Sequence, residues 1–233
     1  MQRTGLLSFP RLAGFCSPVE EGTGVEEGTD VEEGTGVEAG SALKRAIPNV
    51  AGLVLGHGSG SGPDHPVLTA IAEQLAPLPV LRITFPYRAL GGKRPPNPMP
   101  ALVESFRSQR SGWAEALDLD PESLLLGGRS LGARVASIDL ATGGSGCGLL
   151  AVSYPVHPPR APLKLRTEHL HNLTVPSLWI SGSRDPFGTP EELVAAAQCS
   201  AGPHDEVILE GGNHELQGLE SQTAEAVSQW LLG

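Results

Sequence analysis

Three side chains in this sequence have the types and the order needed to drive a hydroxyl onto a carbonyl: Ser130 in GGRSLGARVAS, Asp185 in GSRDPFG and His214 in GGNHEL. A serine hydroxyl is a weak nucleophile until an imidazole accepts its proton. The imidazole in turn needs a carboxylate to fix its tautomer and orientation. Each residue taken singly has a plainer reading. Serine commonly caps the start of a helix, aspartate before proline forms turns, and histidine after Gly-Gly-Asn suits a surface loop. Their joint placement favours the chemical reading, because each follows its own apolar run.

The spacing Gly128-x-Ser130-x-Gly132 adds a mechanical point: small residues there let a strand and a helix approach closely around a sharp turn. In a chain with 30 glycines this pattern alone is weak. The elements around it carry more. VAGLVLG (50–56), PVLRITF (79–85), residues 123–127, CGLLAVSY (147–154), VPSLWISG (175–182) and EVILEG (206–211) read as strands. Between them, residues 65–78, 101–117, 130 onward, 189–198 and 219–232 have the apolar spacing of helices. Strand alternating with helix predicts an α/β fold, a mostly parallel sheet flanked by helices on both faces. In such sheets reactive groups gather at the carboxyl ends of the strands, which is where Ser130, Asp185 and His214 fall.

Acyl transfer also needs donors for the oxyanion of the tetrahedral intermediate. The Leu131 N–H, directly after the serine, is one candidate; the Ser59 N–H, in the glycine-rich LGHGSGSGPDHP (55–66), is the second. His57, Gly58, Arg129 and His157 are candidate pocket residues, although His157 in YPVHPP also suits a rigid proline loop. The same glycine-rich loop fails as a phosphate cradle. No Lys-Ser or Lys-Thr follows it, and G-x-G-x-x-G breaks at Ser61 or Pro63. No cofactor and no metal is expected.

GHGSGSGPDHP, FPYR, GGRSLGARVAS, YPVHPP, GSRDPFG and GGNHEL, in that order over about residues 50–232, resemble a compact subgroup of the α/β-hydrolase superfamily. The subgroup is the one typified by testis-expressed protein 30 and the related chromatin-complex subunit. The resemblance implies a small dienelactone-hydrolase-like sheet with a minimal cap, and it matches Ser130 to the nucleophile, Asp185 to the acid and His214 to the base. It supplies no substrate, and some members of the group serve as binding subunits. Such folds usually open with antiparallel strands. Here an acidic repeat takes that place, so LKRAI (43–47) is either a remnant edge strand or the sheet is trimmed.

That repeat, VEEGTGVEEGTDVEEGTGVEAG (19–40), holds too few apolar groups to offset its chain entropy. Residues 1–45 are expected to be a disordered acidic tail and 46–233 one α/β-hydrolase domain. The net charge of −10 argues against nucleic-acid binding. No run of 18 apolar residues is present, so no membrane association is expected. Pro10 and Arg11 interrupt a signal-peptide pattern, and Cys16, Cys147 and Cys199 are odd in number and far apart. They read as reduced thiols in a cytoplasmic protein. Arg88, Lys93, Arg94, Arg160, Lys164 and Arg166 lie in two linkers that could form a basic mouth, or be ordinary solvated loops.

The expected activity is a serine hydrolase acting on a carboxylic ester or thioester, rising as the pH passes about 6 to 7 and the base loses its proton. Its partner would be a small-molecule acyl substrate. A non-catalytic interaction protein with a protein partner, or a peptidase or acyl transferase with the same triad, remain alternatives.

Overall fold

The computed structural model describes residues 47 and 49–232. The acidic repeat and most of LKRAI lie outside the described residues. The sheet has six strands, all parallel: β1 (Gly52–Gly56), β2 (Val80–Arg82), β3 (Leu124–Arg129), β4 (Gly148–Val152), β5 (Ser177–Gly182) and β6 (His204–Leu209), in the order β2-β1-β3-β4-β5-β6. Helices α1 (Pro66–Gln74), α2 (Pro86–Ala89), α3 (Met99–Ala116), α4 (Leu131–Ala141), α5 (Pro190–Ala197) and α6 (Glu220–Leu232) connect and cover it.

The strands are unbroken apolar runs because both faces are covered. Successive side chains point to opposite faces. Val54, Leu124, Leu126, Leu149, Ala151 and Trp179 join the core under α3, α4 and α5. Their neighbours Leu53, Leu55, Leu125, Leu150, Val152, Leu178 and Ile180 join the core under α1 and α6. Ile47, the one described residue of LKRAI, is buried in that second core.

Three local departures from expectation have physical causes. Helix α1 stops at Gln74 rather than 78, since the residue before Pro77 is pushed away from helical geometry. Strand β2 is three residues long, not seven. Beyond Ile83, whose N–H still donates to the Leu55 carbonyl, the chain leaves the ladder, and the Thr84 and Phe85 N–H groups donate to the side chains of Gln109 and His57. The linker expected at 86–100 opens with α2, whose first residue is Pro86, where a missing N–H costs nothing. Cys147 is a free thiol whose ionisation burial pushes up to about 11. Cys199 is disulfide-bonded, which corrects the reading of all three cysteines as reduced; spacing along the chain carries no information on such pairing.

Candidate active site

The turn between β3 and α4 is set by glycine. A Cβ on Gly132 would lie 2.0 Å from the Gly56 carbonyl oxygen, and one on Gly128 2.2 Å from that same atom. Only glycine lets α4 start this close to β1. Ser130 sits between them at φ 54°, ψ −114°, a conformation that side-chain-bearing residues rarely adopt. It stands at the cap position of α4, yet its hydroxyl caps nothing. Instead Oγ lies 2.9 Å from His214 Nε2. The backbone N–H of Ser130 donates to the Val152 carbonyl at 2.8 Å, which locks the turn onto β4.

Asp185 and His214 follow the adjacent strands β5 and β6. A Cβ on Gly182 would meet the Gly212 carbonyl oxygen at 2.2 Å, so the two strand exits touch backbone to backbone. The buried Asp185 carboxylate accepts from the Phe187 N–H (2.8 Å, Oδ1) and the Ser181 hydroxyl (3.1 Å, Oδ2). His214 Nδ1 faces both its oxygens, at 2.9 and 2.8 Å. A proton held on Nδ1 leaves the Nε2 lone pair aimed at the serine hydroxyl, the arrangement that general-base activation needs. The Phe187 ring stacks on the imidazole at 4.0 Å between centroids, 28° from parallel.

The loop after β1 closes the other side. Gly58 is buried, and a Cβ there would lie 3.5 Å from Ser130 Cβ. Leu131 is the first residue of α4, so its N–H has no acceptor within the helix. Ser59 is exposed, and its carbonyl accepts from the Tyr87 hydroxyl at 3.2 Å. Arg88 donates to the Ser61 and Gly60 carbonyls, both at 2.7 Å.

The candidate pocket residues divide. His57 is fully buried and does not line a pocket. Its Nδ1–H donates to the Gly58 carbonyl at 2.8 Å, and its Nε2 accepts from the Phe85 N–H at 3.2 Å. Burial lowers its proton affinity, with the Gly58 carbonyl opposing and the Arg88 charge assisting. His57 thus holds the loop it sits in. Arg129 turns away from solvent, 2 % exposed, and its Nη2 donates to the His214 carbonyl at 3.0 Å. His157 is also buried, its nitrogens against the Pro158 carbonyl (3.0 Å) and the Glu192 carboxylate (3.1 Å). In all three, hydrogen bonds within the protein take up side-chain polar atoms that sequence position leaves unassigned, Arg129 Nε excepted. Of the linker cations, Arg88 and Arg94 are partly spent on backbone carbonyls. Residues that chain order did not point to are Ser181, Phe187 and Glu215; the last two stand within two positions of Asp185 or His214.

Among the described residues, no group of three or more His, Cys, Asp or Glu is placed to hold a metal ion. None of their helices is long and apolar enough to cross a membrane. A six-stranded parallel sheet with a serine, an aspartate and a histidine converging from β3, β5 and β6 is the α/β-hydrolase architecture. Residues 49–231 match the α/β hydrolase domain family, and the chain belongs to it.

Solved structures agree at the level of fold. A dienelactone hydrolase from Anabaena variabilis superposes with a TM-score of 0.63 at 20% identity, over 80% of this chain and 88% of that one. Est1E from Butyrivibrio proteoclasticus, with ferulic acid bound, gives 0.62 at 16% identity, over 79% and 90%. A putative hydrolase of the α/β superfamily from Xanthomonas campestris pv. campestris gives 0.57 at 21%, over 78% and 98%.

Proposed function

We propose that this α/β hydrolase is a serine hydrolase that cleaves a carboxylic ester or thioester through an acyl-enzyme on Ser130. His214 Nε2 takes the hydroxyl proton as Oγ attacks the carbonyl carbon, then returns it to the leaving group. The same nitrogen activates water to release the acid. Asp185 keeps the Nδ1 proton in place and balances the imidazolium charge. The Leu131 and Ser59 N–H groups are the donors for the oxyanion.

The observation that carries this reading is the unbroken chain of contacts from Asp185 through His214 to a strained, uncapped Ser130. The similar structures named as a dienelactone hydrolase and as Est1E with ferulic acid bound support a small acyl substrate. The six ordered motifs support a place within the family in the compact subgroup typified by testis-expressed protein 30. The test is labelling of the purified protein with a fluorophosphonate, beside Ser130→Ala, followed by a panel of p-nitrophenyl esters and thioesters. Labelling lost in Ser130→Ala is the expected result. Equal labelling of both proteins, or none of either, would remove the assignment and favour a binding role.

A further inference from the structure

Arg129 brings a charge to the edge of the nucleophile turn. It lies between the last glycine of β3 and Ser130, and it is almost entirely buried. Its guanidinium spans three parts of the site. Nη2 donates to the backbone carbonyl of His214 at 3.0 Å and to Glu215 Oε1 at 2.6 Å. Nη1 packs where Gly58 lacks a side chain: a Cβ there would sit 2.6 Å from Nη1 and 3.5 Å from Ser130 Cβ. Glu215 continues the connection, its Oε2 accepting from His65 Nε2 at 3.1 Å. His65 Nδ1 accepts in turn from the Val67 N–H at the start of α1.

We propose that Arg129, Glu215 and His65 form a clasp that fixes the loop carrying His214, with Arg129 as a positioning residue for the histidine. This rests on the serine-hydrolase reading above. The other backbone anchors of this loop lie on either side of the histidine. Before it, the Gly211 N–H donates to the Ser183 hydroxyl at 2.9 Å and the Gly212 carbonyl accepts from the Arg184 N–H at 2.8 Å. After it, the Leu216 side chain is buried, so the Arg129 contact is the one made to the His214 backbone itself. The charges suit the role. Burial raises the Glu215 carboxyl, but the Arg129 cation and the bonds from His65 and Arg129 outweigh it, and its proton affinity falls. Burial and the Arg129 charge lower that of His65, which keeps it a neutral donor. The pair joins a buried guanidinium to a largely exposed carboxylate, and a pair with one end in solvent contributes little to stability alone. An imidazole displaced by about 1 Å, by contrast, loses on the order of 10²-fold in rate.

The test uses the full chain, and wild type with Ser130→Ala is run first. Arg129→Met is expected to stay folded. Its kcat and its rate of fluorophosphonate labelling should fall about 10²-fold with KM nearly unchanged, while Arg129→Lys should lose about 10-fold. Ethylguanidine, but not ethylammonium, should restore part of the activity of Arg129→Ala. Wild-type rates in Arg129→Met and Arg129→Lys would overturn the clasp.

If Arg129→Met does not fold, Glu215→Ala decides, because that side chain is largely exposed. A several-fold slower labelling supports the clasp, and an unchanged rate overturns it. If wild type shows no Ser130-dependent labelling, the hydrolase reading fails separately. The clasp is then judged by amide hydrogen exchange over residues 211–216 in Glu215→Ala and Arg129→Lys. Faster exchange than wild type upholds it, and equal exchange overturns it.

Discussion

Phe187 holds both partners of the acid–base pair at once. Its N–H donates to Asp185 Oδ1 at 2.8 Å, and its ring lies against the His214 imidazole at 4.0 Å. The two contacts can be separated by mutation, because the first belongs to the backbone and the second to the side chain. Phe187→Ala keeps the carboxylate's donor and removes the plate behind the imidazole. Its kcat on an ester substrate is expected to fall about 10-fold, with little change in KM. An unchanged kcat would mean that the Phe187 ring has no part in orienting the imidazole.

The carboxylate itself is the stronger determinant. Asp185→Asn keeps the shape but takes away the acceptor that holds the Nδ1 proton, and turnover should drop about 10⁴-fold. Ser181→Ala removes one charge-assisted hydrogen bond to the same carboxylate, worth about 1.5–3 kcal/mol, while the Phe187 N–H still donates to it, so a loss of about 10- to 100-fold is expected. Steady-state rates of the two variants should differ by orders of magnitude; similar losses would contradict the assigned roles.

His57 gives a prediction about the oxyanion loop. It lies within the glycine-rich loop, yet it is fully buried and ties Gly58 to Phe85. His57→Ala leaves the Phe85 N–H without its acceptor and frees Gly58 and Ser59 to move. Turnover is expected to fall about 10²-fold, approaching the loss of one oxyanion donor, and the melting temperature should fall with it. Thermal melts and kinetics on the same preparation check both.

His169 makes stability depend on pH. Burial, opposed by Glu168, lowers its proton affinity to about 4, and its Nε2 pairs with the Ser137 hydroxyl at 2.8 Å. The unfolded chain therefore binds a proton that the folded one refuses. Stability is full above the ordinary histidine value near 6.5 and is lost as the pH falls from there toward 4. The difference amounts to roughly 3 kcal/mol. Denaturant titrations at pH 7 and pH 4.5 should show a smaller loss for His169→Gln than for wild type; parallel losses would exclude this residue as the source.

Much of this was legible in the chain, because two strong periodic signals agree. The leucine and valine runs of β1, β3, β4 and β5 are continuous since each strand is covered on both sides, and the helices between them repeat with helical spacing. Ser130, Asp185 and His214 are visible as residues past the ends of β3, β5 and β6. What the letters do not hold is the direction in which a side chain leaves the turn. Arg129 reads equally well as pointing to a pocket or to a neighbouring loop, and only the returning segment at 214–215 decides between them. His57 and His157 fall to the same cause, as each spends one nitrogen on the next residue's carbonyl and the other on a group distant in sequence, the Phe85 N–H and the Glu192 carboxylate respectively. The shortness of β2 was hidden because Gln109 and His57 replace the ladder partners that Thr84 and Phe85 would otherwise need.

The backbone of Ser130 has a consequence for the endurance of the molecule. At φ 54° any residue with a Cβ is crowded, and glycine alone relaxes there. Ser130→Gly should therefore outlast Ser130→Ala on heating, by about 1 kcal/mol after glycine's greater freedom in the unfolded chain is deducted. For a domain of this size that is a gap of about 2–4 °C, readable by calorimetry. Both variants would be inert, so the gap would measure how much robustness the chain surrenders to keep one oxygen poised for attack.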